Sequence, residues 1–135
     1  NDRVFRFENR IHRTIVTDQL LLKQLMTILF DNAIKYTEED GEIDFVISAT
    51  DRNLYLLVSD NGVGISSEDK KKIFDRFYRV DKARTRQKGG FGLGLSLAKQ
   101  IVDALKGTIA VKDNKPKGTI FEVKITIQTP SKKKK

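Results

Sequence analysis

The stretch "QKGGFGLGLSLAKQ", residues 87–100, places four glycines immediately before a pattern that is typical of a helix. Glycine clusters are common in flexible loops. Alternatively, bare backbone beside the first turn of a helix forms an anion site, because unpaired N–H groups and the helix dipole attract negative charge. The stretch lacks the G-x-x-x-x-G-K-[ST] pattern of a P-loop. A Rossmann motif requires an apolar strand before its glycines, and no such strand precedes this stretch.

The composition of the 135 residues indicates one domain with a hydrophobic core, since 39% of them are hydrophobic. No apolar run of about 18 residues predicts a membrane span, and no signal peptide is visible. The absence of cysteine excludes disulfides and thiolate chemistry. We assign residues 1–130 to the domain and residues 131–135, with four lysines, to a basic, disordered tail.

Much of the net charge of +8 lies just before the glycines. Such a cluster of cations attracts phosphate groups, and the backbone of a nucleic acid is the competing ligand. No helix-turn-helix or RNA-recognition motif accompanies the cluster, so we predict no nucleic-acid interface. The cluster consists of Arg76, Arg79, Lys82, Arg84, Arg86 and Lys88.

Hydrophobic periodicity predicts strands alternating with helices. The predicted strands are "RVFRFE", "RTIVT", "EIDFVISA", "LYLLVSD", "TIAVKD" and "GTIFEVKITIQ". One helix should begin after an N-cap at Asp18 and end near residues 38–41. A second should run from a capping box at Ser66 to about residue 77, and a third over residues 93–105 with Gly107 as its C-terminal cap. These elements predict an α/β two-layer sandwich, in which three helices cover one face of a mixed, mostly antiparallel sheet of about five strands.

Two short motifs carry polar groups that suit a nucleotide. In "LFDNAIKYT", Asn32, Lys35 and Tyr36 occupy adjoining helix rows and could contact Mg²⁺, a phosphate and a base. An ordinary solvated helix edge is the alternative. In "SDNGVG", Asp60 ends a strand, and a buried carboxylate there needs a donor such as an adenine amino group. An ordinary turn residue is the alternative.

The order of these motifs along the chain carries a resemblance to a known family. An Asn-bearing helix, D-x-G-x-G, "IFDRFYR", G-x-G-L-G-L and a late Gly-Thr follow one another within residues 3–127. This arrangement closely resembles the catalytic, ATP-binding domain of bacterial sensor histidine kinases, which have the Bergerat fold of the GHKL superfamily. The resemblance implies that the domain binds Mg-ATP. It also implies transfer of the γ-phosphoryl group to a histidine on a separate dimerisation and phosphoacceptor domain, in two-component signalling.

The resemblance further implies roles for individual residues. "ILFDNAIKYT" resembles the N box, in which Asn32 would be the Mg²⁺ ligand, Lys35 a phosphate contact and Tyr36 an adenine-side contact. "DNGVG" resembles the G1 box, in which Asp60 would accept a hydrogen bond from the adenine amino group. "GFGLGL" resembles the G2 box, whose backbone would surround the triphosphate, and the Gly-Thr at 118–119 resembles the G3 element near the adenine.

"FDRFYR" resembles the F box, in which Phe74 and Phe77 would anchor a lid over the nucleotide and Arg79 would reach the phosphates. Residues 80–91 are predicted to form the long, basic loop of this lid. From the resemblance we predict the catalytic residues Asn32, Lys35 and Arg79, with Asn32 as the metal ligand. The other predicted nucleotide contacts are Tyr36, Asp60, Gly62, Gly64, Ile65, Phe77, Gly90, Phe91, Gly92, Leu93, Gly94, Leu95 and Thr119.

Two departures from the family pattern bear on the chemistry. Ile28 stands where the N box often has a second Asn and where gyrase-like relatives have a Glu that activates water. Magnesium would then depend on Asn32, phosphate oxygens and water. The family's phosphoacceptor histidine lies in a separate helical domain. His12, the only histidine, is predicted to lie on a strand in "RIHRTI" with a structural or surface role.

The partners implied by the resemblance are the phosphoacceptor domain of the same kinase and, indirectly, a response regulator. The domain would be the cytoplasmic part of a membrane-anchored bacterial sensor, with membrane contact only through other segments, and we expect it to be monomeric when isolated. An anti-sigma-type serine kinase is an alternative that the long F box and basic lid disfavour. A nucleotide-sensing module without transfer activity and a basic nucleic-acid binder are the remaining alternatives.

Overall fold

The computed structural model of the protein describes residues 3–75 and 94–128. Its strands are β1 (Val4–Asn9), β2 (Glu42–Ala49), β3 (Asn53–Asp60), β4 (Thr108–Asp113) and β5 (Thr119–Thr126). Its helices are α1 (Gln19–Lys35), α2 (Ser67–Lys70) and α3 (Gly94–Ala104). The strands form one sheet in the order β1-β2-β3-β5-β4.

The sheet is mixed, as predicted. β1 and β2 are parallel, whereas the β2–β3, β3–β5 and β4–β5 pairs are antiparallel. A parallel pair requires a crossover, and α1 supplies it between β1 and β2. Asp60 and Thr119 are register partners in the β3–β5 pair, so the end of β3 lies beside the beginning of β5.

The core lies between the sheet and the helices. Buried positions alternate along β2, β3 and β5, because successive side chains point to opposite faces of a strand. The sheet contributes Ile43, Phe45, Ile47, Leu54, Leu56, Val58, Phe121, Val123 and Ile125, and α1 and α3 contribute Leu25, Leu29, Ala33, Ala98, Ile101 and Val102. Each large apolar side chain buried here contributes about 1.5–3 kcal/mol of transfer free energy. The predicted two-layer α/β sandwich is therefore confirmed.

The predicted N-caps are confirmed, but α2 is shorter than predicted. Asp18 Oδ1 accepts a hydrogen bond from the Leu21 N–H at 3.0 Å, and Ser66 Oγ accepts one from the Asp69 N–H at 3.1 Å. However, α2 ends at Lys70 instead of near residue 77. Ile73 is buried in the core, and the ring of Phe74 packs edge-on against Phe121 at 6.3 Å. The chain forms turns after Lys70 instead of a helix, and these turns direct the side chains of Ile73 and Phe74 toward the core.

The prediction of a strand at "RTIVT" is wrong. Only an isolated bridge forms there, between Val16 and Gln128. Ile15 packs against the core, and the chain reaches the N-cap Asp18 within three residues, which leaves no length for a strand ladder. His12 consequently lies in the connection between β1 and α1, where it is exposed, and not on a strand.

Both long helices end slightly differently from the prediction. α1 ends at Lys35 with Tyr36 as its C-cap, a few residues before 38–41. After α3, the left-handed residue is Lys106, with φ 59°, and not Gly107. Gly107 is required for a different reason, since a Cβ there would lie 1.9 Å from the carbonyl oxygen of Lys124. No helix among residues 3–75 and 94–128 is long and apolar enough to cross a membrane.

Candidate functional site

The carboxylate of Asp60 is the centre of the candidate site. It lies at the end of β3, where its register partner is Thr119, and it is only 3% exposed. Its Oδ1 accepts hydrogen bonds from the backbone N–H of Gly62 at 2.8 Å and of Thr119 at 3.3 Å. Because both bonds end on Oδ1, the second carboxylate oxygen remains for a ligand that donates a hydrogen bond.

Burial raises the pKa of Asp60 above the usual aspartate range, and the hydrogen bonds from Gly62 and Thr119 offset part of that shift. A carboxylate in this position is stabilised by any further donor, since each hydrogen bond to the charged form repays part of its desolvation. The electrostatics therefore favour a ligand with a polar N–H group beside Asp60.

A second polar atom of the site has no partner. The Oγ1 atom of Thr119 is buried without a hydrogen bond, one of two such side-chain atoms among the described residues. A buried hydroxyl without a partner costs about 1–3 kcal/mol relative to one that is satisfied. It lies on the residue whose N–H contacts Asp60, so one polar ligand could satisfy both side chains.

The glycines of D-x-G-x-G and the glycine that precedes β5 allow close contact between the backbones of three segments. A Cβ on Gly62 would lie 1.8 Å from the carbonyl oxygen of Tyr36, so only glycine permits this approach of the loop to the end of α1. Gly64 has φ 81° and Gly118 has φ 110°, in the left-handed region that favours glycine. A Cβ on Gly118 would lie 1.9 Å from the carbonyl oxygen of Asp60.

The C-terminal part of α1 carries the predicted polar contacts. Asn32 and Lys35 are half-buried, and Tyr36 is buried at the C-cap, where its N–H donates to the carbonyl oxygen of Asn32. The Val63 N–H donates to the carbonyl oxygen of Tyr36 at 3.1 Å, which attaches the D-x-G-x-G loop to this helix end. Within the described residues, no hydrogen bond engages the side-chain amide of Asn32, which is therefore available to a ligand.

The first residue of α3 approaches the same helix. A Cβ placed on Gly94 would lie 3.7 Å from Cγ2 of Ile28, one helical turn before Asn32. The N-terminus of α3 thus lies beside the half of α1 that carries Asn32. Leu95, the next residue, is half-buried and packs against the core.

The structure brings some of the predicted site residues together. It brings Tyr36, Asp60, Gly62 and Thr119 into direct backbone or hydrogen-bond contact, and Gly64 approaches Gly118. Ile65 is 7% exposed and belongs to the core, so it can form only a wall of a site. Six predicted residues lie outside the described residues: Phe77, Arg79, Gly90, Phe91, Gly92 and Leu93.

Two asparagines that sequence reasoning missed hold the site together. Asn114 Nδ2 donates to the carbonyl oxygen of Asp60 at 2.8 Å, and Asn61 Oδ1 accepts from the N–H of Glu42 at 2.8 Å. Asparagine in a turn commonly satisfies local backbone groups, which is the only sequence signal that pointed to them. The β4–β5 connection and the start of β2 are thereby fixed relative to Asp60.

The described part of the chain does not offer the usual cluster of side-chain ligands for a metal ion. No group of three or more His, Cys, Asp or Glu side chains there could hold an ion. A metal bound beside Asn32 would therefore take most of its ligands from a bound anion and from water, as Mg²⁺ commonly does.

Comparison with known protein families gives a match over residues 17–129, to the model described as histidine kinase-, DNA gyrase B- and HSP90-like ATPase. The whole chain is 94% identical to part of the sensor protein CiaH of Streptococcus pneumoniae serotype 4. It is 46% identical over 104 residues, 76% of its length, to the sensor histidine kinase WalK of Bacillus subtilis strain 168. The chain spans 30% of the length of CiaH and 17% of that of WalK.

Solved structures show the same fold. The mycobacterial sensor histidine kinase MprB superimposes with a TM-score of 0.77 at 26% identity, over 93% of this chain and 86% of the other. Full-length ShkA in complex with AMPPNP gives a TM-score of 0.76 at 25% identity, over 94% of this chain and 26% of the other.

Proposed function

Because this chain belongs to the family of histidine kinase-, DNA gyrase B- and HSP90-like ATPases, we propose that it binds Mg-ATP beside Asp60 and α1. We further propose that it donates the γ-phosphoryl group to a histidine on a separate phosphoacceptor domain. The sensor kinases to which the chain is similar, and the ATP analogue in the ShkA complex, support this proposal. The observation that carries it is the pair formed by the buried Asp60 carboxylate and the unpaired Thr119 hydroxyl.

The adenine ring fits the polar groups of this pair. Its exocyclic amino group is a donor, which the free oxygen of Asp60 accepts, and its ring nitrogens are acceptors, which the Thr119 hydroxyl can serve. Guanine has a carbonyl where adenine has the amino group, so two acceptors would face each other at Asp60. The site therefore selects adenine, with Tyr36 and Ile65 as apolar surroundings.

The triphosphate would extend toward the N-terminus of α3, because the positive end of the helix dipole favours anions. Lys35 on α1 is proposed to supply a cation for the phosphates. Arg79, which lies outside the described residues, is proposed to supply another. Mg²⁺, when bound, neutralises phosphate charge, and Asn32 is its proposed protein ligand through the side-chain oxygen. The side-chain amide of Asn32, which makes no hydrogen bond among residues 3–75 and 94–128, fits that role.

The acceptor of the phosphoryl group is proposed to come from another domain. Transfer needs a nucleophile held in line with the γ-phosphorus while positive groups neutralise the phosphates. Ile28 has no group that could orient a water molecule, and His12 is exposed in the connection before α1. We therefore propose a phosphoacceptor domain of the same sensor kinase as partner and a response regulator as the indirect recipient. The proposed location is the cytoplasmic side of a membrane-anchored sensor.

The proposal is tested by mixing the chain with Mg-ATP labelled at the γ-phosphate and a separately produced phosphoacceptor domain. Acid-labile label should appear on the partner, while the chain alone neither labels itself nor hydrolyses ATP quickly. Asn32→Ala should abolish the transfer. Asn53→Ala, at the end of β3 opposite to Asp60, is the matched control and should transfer normally. Rapid hydrolysis by the isolated chain, or stable phosphate on His12, would contradict the assignment.

A further inference from the structure

Arg3 connects the sheet edge to the end of the helix that carries the nucleotide contacts. Its Nη2 donates to the carbonyl oxygen of Thr37 at 3.0 Å and approaches that of Ile34 at 3.4 Å, although these residues lie 34 and 31 positions later. The next residue, Val4, donates its N–H to the carbonyl oxygen of Gly41 at 2.9 Å. The start of β1 is thus attached to both ends of the segment between α1 and β2.

The attachment is chemically favourable. The last carbonyl groups of a helix lack intrahelical partners and carry the negative end of its dipole, so a guanidinium is well suited to them. Nη2 carries two N–H groups, so this one nitrogen can donate to both carbonyl oxygens. The Nε of Arg3 is buried without a partner, so the hydrogen bonds described for this side chain are those of its terminal nitrogen Nη2.

The same helix end is held from its other side by the candidate site. Ile34 and Thr37, the two carbonyl partners of Arg3, flank Lys35 and Tyr36 in the sequence. The carbonyl oxygen of Tyr36 accepts from the Val63 N–H. Asn61, also in the D-x-G-x-G loop, exchanges hydrogen bonds with Glu42 at the end of the connecting segment. The residues from 34 to 42 therefore lie between Arg3 and Val4 on one side and the D-x-G-x-G loop on the other.

We propose that Arg3 is a positioning residue for nucleotide binding, which sets Lys35 and Tyr36 through the backbone of the helix end without touching the ligand. The inference rests on the proposed function, since it concerns the same site. Without Arg3, the carbonyl groups of Ile34 and Thr37 lose a charged donor, and the Val4–Gly41 hydrogen bond is what remains on the β1 side, at the far end of the turn. The helix end then samples positions in which Lys35 and Tyr36 do not meet the nucleotide together.

The test compares Arg3→Met, Arg3→Lys and Arg13→Met in the full chain. Arg13 is the matched control, because its guanidinium also donates to a backbone carbonyl oxygen, that of Thr50, in the β2–β3 connection. Affinity for Mg-ATP is measured by calorimetry well below each melting temperature, and amide hydrogen exchange is followed at residues 36–41. Arg3→Met should weaken ATP binding about fivefold to tenfold and speed exchange in this segment.

The lysine variant separates an effect on positioning from an effect on stability. Relative to Arg3→Met, Arg3→Lys should recover part of the ATP affinity, in proportion to the recovered protection of residues 36–41 from hydrogen exchange. If Arg3→Met does not fold, Arg3→Lys is compared directly with the unsubstituted chain. Arg13→Met should bind ATP as the unsubstituted chain does, even if its melting temperature falls equally. Unchanged ATP affinity in folded Arg3 variants, or equal losses in the Arg3 and Arg13 variants, would overturn the inference alone. Failure of the unsubstituted chain to bind ATP would overturn the proposed function and this inference with it.

Discussion

Oδ1 of Asp60 accepts the N–H of Gly62, two residues later, at 2.8 Å, and this bond folds the D-x-G-x-G loop back onto its own carboxylate. The same oxygen accepts the Thr119 N–H. One carboxylate oxygen therefore binds backbone N–H groups of the protein, and the other faces the position proposed for adenine. Substitutions at Asp60 consequently test both the fold of the loop and the choice of base.

Asp60→Asn should weaken ATP binding about 5- to 150-fold. The amide oxygen can still accept from Gly62 and Thr119, but the amide NH₂ group then faces the adenine amino group, and mispairing of buried groups costs about 1–3 kcal/mol. The unsubstituted chain should also bind GTP more weakly than ATP. Calorimetry checks the affinity of Asp60→Asn for ATP and the affinity of the unsubstituted chain for GTP. Asp44→Asn is the control, because Asp44 forms an ion pair with Arg6 at the surface. Equal affinities for ATP and GTP would refute the assignment of Asp60.

The stability of the nucleotide-free protein should depend on pH through Asp60. Because burial raises the pKa of Asp60, the folded protein holds this proton to higher pH than the unfolded chain does. The contribution of this group to stability is therefore lost as pH rises from its unfolded pKa through its folded pKa. Asp60→Asn does not titrate, so its stability relative to the unsubstituted chain should rise over that window and then level off.

Urea unfolding of both proteins is followed from about pH 3, below the ordinary aspartate pKa, to about pH 8. Parallel stability profiles over the whole range would show that Asp60 titrates alike in both states. A relative stability of Asp60→Asn that falls with rising pH would show that its pKa is lowered by folding instead.

Gly62→Ala should destabilise the domain by about 3 kcal/mol and remove ATP binding. Its Cβ would lie 1.8 Å from the carbonyl oxygen of Tyr36, which is backbone and cannot rotate away. Gly94→Ala is the matched substitution, since its Cβ would lie 3.7 Å from Ile28 at ordinary contact distance. It should leave the free energy of unfolding unchanged or raise it by up to about 1 kcal/mol. Urea unfolding checks the pair, and similar losses of unfolding free energy in both variants would contradict the close backbone approach at Gly62.

Lys106→Gly should stabilise the domain by about 1 kcal/mol, because φ of Lys106 is 59° and glycine adopts this conformation without strain. Gly107→Ala should have the opposite effect, since its Cβ would collide with the Lys124 carbonyl oxygen at 1.9 Å. Thermal unfolding of both variants checks the pair. A stabilising Gly107→Ala would contradict the close approach of Gly107 to the Lys124 carbonyl oxygen, and a destabilising Lys106→Gly would contradict the left-handed conformation of Lys106.

The sequence predicted the parts of this fold that depend on local pattern. The alternation in β2 and β3 and the caps at Asp18 and Ser66 are local, and they were predicted at or near their observed positions. Residues 13–17 have residue types that suit a strand, but they form none because the N-cap of α1 follows immediately. A local sequence pattern does not show such competition between neighbouring elements.

The candidate site was predicted less completely, because several of its contacts join distant parts of the chain. Asn114 reaches the Asp60 carbonyl oxygen across 54 positions, and Arg3 reaches Thr37 across 34. Neither residue has a distinctive sequence environment, since asparagine in a turn and arginine beside a strand are both ordinary. Gly107 was recognised as special for the wrong reason, because its contact with Lys124 depends on how α3 meets β5.

The pairing of β3 with β5 has a consequence for the order in which the protein acquires its function. Asp60 and Thr119 are separated by 59 positions, so their contact requires closure of a long loop, whereas the β2–β3 hairpin forms locally. During synthesis, a nascent chain can complete that hairpin long before residue 119 leaves the ribosome. ATP binding should consequently appear only after β5 has been made and paired, which makes nucleotide affinity a late marker of folding.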